Sequence, residues 1–140
     1  MIRLALRFLL TMDITLKNWK GKDKIEIQEV SRVDFYIVRE HRKDKTSGEV
    51  STIVHRIPKR NVNLLLDLIE NHPTPGEIKA RDLWTQLIIE RKLEISVDAF
   101  NGGRNRSRYY FPLYYYPTKI LEWLGAITYS GRGTISYNQE

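Results

Sequence analysis

Apolar and polar positions alternate through the first part of the chain and change to helical spacing after it. Residues 13–19 and 24–30 alternate around Lys20-Gly21-Lys22-Asp23, a run of turn formers, and so predict a hairpin. Residues 33–42 and 49–57 flank the polar stretch Lys43-Asp44-Lys45-Thr46-Ser47-Gly48 and predict a second, longer one. Its tip, with Arg39, Arg42, Lys43 and Lys45 around it, reads as a solvated basic loop. Val33, Phe35 and Ile37 fall on one face of their strand and Tyr36 and Val38 on the other, which predicts cover on both sides. From Pro58 the period changes. Val62, Leu65, Leu66 and Ile69 recur at i, i+3, i+4 and i+7, predicting a helix that ends near His72-Pro73. Thr74-Pro75-Gly76-Glu77 is either a capping box or a turn leading to a short strand at Ile78. Leu83, Leu87 and Ile88, with Trp84 alongside, predict a second amphipathic helix over roughly residues 80–92. Phe100-Asn101-Gly102-Gly103 then breaks the pattern.

The last stretch is the most specific. Pro117 suits a first helical turn and Gly125 the position just past a helix end, while Ile120, Leu121 and Leu124 share a face with Trp123 beside them. Residues 126–130 and 134–137 read as β-branched and aromatic strands around Gly131-Arg132-Gly133, a tip that supplies positive φ. Between the second helix and Pro117 lies an insert that is either partly helical, with Ser107 as N-cap and Pro112 ending or kinking it, or an extra loop.

Helix, possible short strand, helix, loop, helix and hairpin with a basic tip is an order that resembles the winged helix-turn-helix superfamily over about residues 58–138. The resemblance implies a last helix that enters the major groove and a hairpin, or wing, that lies along the phosphates. The fold expected is therefore α+β: an N-terminal antiparallel β-meander in residues 1–57, followed by a winged-helix domain in residues 58–140. Residues 1–12 are either a short amphipathic helix or an over-extended start with Met12 as initiator. Arg7 interrupts their apolar run, no small-residue cleavage site follows, and so few residues cannot span a bilayer.

Composition narrows the function classes. The chain has 140 residues, 41% hydrophobic and 29% charged, which suits a folded core. The absence of cysteine excludes disulfides, thiolate catalysis and cysteine-bound zinc, and points to the cytoplasm. The three histidines lack metal-ligand spacing, and no cofactor or metal is expected. Net charge is +6 and unevenly placed: residues 61–100 carry 4 basic and 7 acidic side chains, whereas residues 101–120 carry 4 basic and none acidic. Such segregation reads as an electrostatic footprint.

Arg104, Arg106 and Arg108 are the sharpest local feature, since alternate arginine forks can grip phosphate or read guanine, and the neighbouring glycines admit a duplex closely. Thr118 and Lys119, at an expected helix N-terminus, and Arg132, between wing glycines, complete the expected DNA-binding set. Tyr109, Tyr110, Phe111, Tyr114, Tyr115 and Tyr116 read first as packing or a self-association surface, with base stacking second. A homodimer through this segment or the meander is expected. Glu77-Ile78-Lys79 matches half of an E-x-K nuclease site, but its conceivable metal partner Asp67 falls on a helix, and carboxylates so spaced are common by chance; no enzyme is read here. The sequence thus predicts a double-stranded DNA binder, most simply a transcriptional regulator; the alternatives are a protein–protein module and a single-strand or RNA binder.

Overall fold

The computed structural model describes residues 14–17, 24–130 and 133–138; residues 1–13, 18–23, 139 and 140 lie outside them, as do Gly131 and Arg132. Strands β1 (Ile14–Lys17), β2 (Lys24–Glu29), β3 (Phe35–Lys43) and β4 (Val50–Pro58) form an antiparallel meander in chain order. The turn between β3 and β4 closes on Asp44, whose carboxylate accepts from Thr46 N at 2.7 Å and Ser47 N at 3.0 Å, and Gly48 takes the positive φ that ends it. Tyr36 and Val38 are buried, while Val33, Phe35 and Ile37 are only half-covered. The strand is therefore packed on one face, not both. On the other face the Arg56 guanidinium lies 5.4 Å from the Phe35 ring centroid.

Helix α1 (Lys59–Glu70) follows β4 directly and buries Val62, Leu65, Leu66 and Ile69, the predicted stripe. Thr74 O then accepts from Glu77 N, so that stretch is a turn, and it leads into β5 (Ile78–Lys79) and α2 (Ala80–Glu90). The short helix α3 (Val97–Asn101) is N-capped by the Ser96 hydroxyl. Residues 103–123 then run as continuous helical backbone: α4 (Gly103–Asn105), a π-helical segment (Arg106–Tyr115) and α5 (Tyr116–Trp123). The insert is thus helical, but Ser107 sits inside the helical run and caps nothing, and Pro112 is absorbed. Proline lacks the N–H that the preceding turn would receive, and the wider i→i+5 pattern, seen where Tyr116 N reaches Phe111 O, accommodates that loss. Asn61 of α1 donates to the Pro112 carbonyl at 3.3 Å and accepts from Arg91, tying the segment to α1 and to the residue that ends α2.

The hairpin forms as the strand pattern predicts. Strand β6 (Ile127–Tyr129) pairs with β7 (Thr134–Tyr137), and β5 joins the other side of β7, giving a three-stranded sheet in the order β5-β7-β6. One core runs through both parts, from Ile25, Ile27 and Val38 to Leu83, Ile120 and Ile135. Tyr36 meets Trp123 edge-on at 6.5 Å where the meander joins α5. Among the described residues no helix is long and apolar enough to cross a membrane. The protein is an α+β fold with its antiparallel meander at the N-terminal side.

Candidate nucleic-acid interface

Arg104, Arg106 and Arg108 stand exposed on the opening turns of the helical run. Gly103 begins it with φ +52, and an added Cβ there would meet nothing within 4 Å, so this backbone borders open space. No carboxylate forms an ion pair with any of the three arginines among the described residues. Two of them are held in place by rings. Arg106 lies 5.5 Å from the centroids of both Tyr110 and Phe111, and Arg108 lies 5.5 Å from that of Tyr109. Stacking fixes a guanidinium plane while leaving its edge N–H donors outward, which lowers the entropy lost on gripping a phosphate.

The hairpin comes into the same neighbourhood. Burial pushes the Tyr110 hydroxyl above its ordinary value, Arg106 pulls it partly back, and Tyr129 of β6 pushes it further. Tyr110 thus feels the charge of both Arg106 and Tyr129, the last residue of β6. Tyr129 also accepts at its hydroxyl from Gly133 N at 3.1 Å, closing the hairpin beneath its tip. Arg132 itself lies outside the described residues.

Thr118 and Lys119 do not belong to this surface. Both are wholly buried. The Thr118 hydroxyl donates to Tyr114 O at 2.6 Å, and the Lys119 ammonium lies 3.9 Å from the Glu122 carboxylate. The expectation fails because α5 has no free N-terminus: helical backbone precedes Tyr116, so no open N–H groups face outward there. The tyrosine run also turns inward. Tyr110, Tyr114 and Tyr116 are buried, and Tyr109, Phe111 and Tyr115 pack against the core. Ring pairs such as Trp84 with Tyr114 at 5.4 Å and Phe100 with Tyr110 at 5.9 Å hold the run against the protein's own core.

A second basic feature arises where the meander meets the π-helical segment. A cleft of about 470 Å³ opens there, with Arg42, His55, Arg56, Ser107, Phe111 and Tyr116 on its walls. At its base the Tyr116 hydroxyl donates to Glu40 at 2.6 Å, and Arg42 Nε donates to the other Glu40 oxygen at 2.7 Å. With its proton on that bond, Tyr116 accepts from His55 Nε2 at 2.8 Å, which sets the histidine tautomer. Burial works to raise the Glu40 carboxyl, but the bonds from Arg42 and Tyr116 outweigh it and hold the group below its ordinary value. Strand alternation already separates His55 from Arg56; their meeting with Ser107, about fifty residues on, had no local signal.

Glu77, Lys79 and Asp67 are all exposed, and no group of three His, Asp or Glu side chains that could hold a metal occurs among the described residues. Comparison with protein-family models, with curated proteins and with solved structures gave no significant match.

Proposed function

We propose that residues 58–138 form a winged-helix domain that binds double-stranded DNA, most simply as a cytoplasmic transcriptional regulator. The observation that carries this reading is the set of exposed arginines, Arg104, Arg106 and Arg108, without carboxylate partners among the described residues and opening a helical run packed into the core. Uncompensated like charge at i, i+4, as in Arg104 and Arg108, destabilises a helix unless an anion meets it. The element order and the β5-β7-β6 sheet support the wing assignment. In this reading residues 103–109 enter the major groove, and Arg132 meets phosphate from the wing tip. Inward packing of the tyrosine run weakens the alternative of protein assembly through that segment.

Fluorescence anisotropy with duplex DNA, single strand and RNA of equal length tests the proposal. Duplex is expected to bind most tightly at low salt. No binding to any of them would favour a protein-interaction module, and preference for single strand or RNA would overturn the duplex reading.

A further inference from the structure

Strand β4 ends the four-stranded sheet, and among the described residues no strand lies along its outer edge. Its phase is fixed at both ends. Asp44 N donates to Glu49 O and Lys59 N to Asp34 O, each at 2.8 Å, within one unbroken register. Odd-numbered residues therefore bond inward to β3, and the backbone groups of Val50, Thr52, Val54 and Arg56 point out from the edge. Exposed sheet edges are usually guarded by charge, proline or a bulge. Residues 50–54 of β4 have none of these. Val50 and Val54 are 65% and 57% exposed, two of the three large apolar side chains so exposed among the described residues.

We propose that β4 pairs antiparallel with β4 of a second copy of this chain, across a two-fold axis at Thr52, so that two four-stranded sheets become one. This inference does not rest on the DNA reading. The axis follows from the residues. Centred on Thr52, Val50 stands opposite the partner's Val54 on one face, and Ser51 opposite the partner's Ile53 on the other. An axis at Ile53 would set Val50 against an arginine, and one at Ser51 would set it against a threonine. An axis at Val50 or at Val54 would pair one valine with its own copy and leave the other without an apolar neighbour, whereas Thr52 engages both valines of each chain at once.

Charge agrees with that register. Glu49 arrives opposite the partner's His55, and Gly48 opposite the partner's Arg56. The basic cleft between β4 and the π-helical segment, with Arg42, His55 and Arg56 on its walls, lies beside this same edge. Gly48 has no side chain to obstruct approach to the cleft wall, and Glu49 brings a carboxylate towards a wall that carries Arg42 and Arg56. The interface is isologous, so both contacts form twice.

The full chain without DNA supplies the test. Sedimentation equilibrium at micromolar concentration should show a dimer, and Val54→Lys should raise its dissociation constant at least tenfold while leaving the circular dichroism spectrum unchanged. The protein has no cysteine, so introduced thiols report register directly. Thr52→Cys places two Cα atoms about 5.5 Å apart across the axis, within disulfide reach. Val54→Cys separates its two thiol-bearing residues by four strand positions, about 13 Å. Thr52→Cys should therefore cross-link at least tenfold faster under mild oxidation. A monomeric wild-type chain, a dimer untouched by Val54→Lys, or equal cross-linking of the two cysteine variants would each overturn the proposal.

Discussion

Tyr116 of α5 donates its phenolic proton to Glu40 of β3 at 2.6 Å, a bond between two buried side chains that joins the meander to the helical run. Removing one partner leaves the other desolvated and unmet, which costs about 1–3 kcal/mol and more when that partner is charged. Tyr116→Phe is expected to destabilise the fold by about that amount. A double-mutant cycle with Glu40→Gln should give a coupling of about 0.5–3 kcal/mol. Urea denaturation of the four proteins checks it; additive losses would show that the two groups do not act together.

The same cluster predicts acid sensitivity. Burial lowers the His55 imidazole below its ordinary 6.5, with Glu40 opposing, and Glu40 is held below its ordinary 4.5 despite its burial. In both cases the unfolded chain binds more protons, so the stability contributed is present above the ordinary value and lost as pH falls through the folded one. The midpoint of thermal unfolding should begin to fall below about pH 6.5 and fall further below pH 4.5. His55→Gln should remove the first decline and leave the second.

Lys119 gives the opposite end of the pH scale. Burial pushes its ammonium down to about 8 from 10.5, against the pull of Glu122. The unfolded chain again holds the proton more tightly, so stability should rise from about pH 8 towards pH 10. Above pH 10 the trend reverses, because burial raises the Tyr110, Tyr114 and Tyr116 hydroxyls and the unfolded chain then loses protons first. Lys119→Met is expected to abolish the alkaline rise and to be neutral or stabilising by about 1 kcal/mol at neutral pH. A clear loss of stability would mean the buried ammonium is held by more than its pairing with Glu122.

Much of the fold was legible because the relevant signals are local. The stripe from Val62 to Ile69 and the turn formers around Asp44 fixed α1 and the second hairpin without reference to distant residues. Residues 103–123 were not legible in the same way. Gly102 and Gly103 read as breakers, Pro112 as the end or kink of a helix and Pro117 as the start of a new one, yet packing against α1, with Asn61 holding the Pro112 carbonyl, carries the helix through both prolines. That single misreading accounts for the placement of Thr118 and Lys119 on the surface. The arginine run could be read from its own spacing; the cleft could not, because Glu40, His55 and Tyr116 are brought together only by the tertiary fold.

The salt dependence of duplex DNA binding, compared between the wild type and single substitutions, decides whether these arginines meet phosphate. Each phosphate contact should contribute about 0.9 to the slope of log affinity against log salt. Arg104→Ala, Arg106→Ala, Arg108→Ala and Arg132→Ala are each expected to make the slope shallower by about that amount and to weaken all sequences alike, whereas Lys119→Met should leave it unchanged. Affinity independent of salt, or slopes that the arginine substitutions leave untouched, would contradict the account.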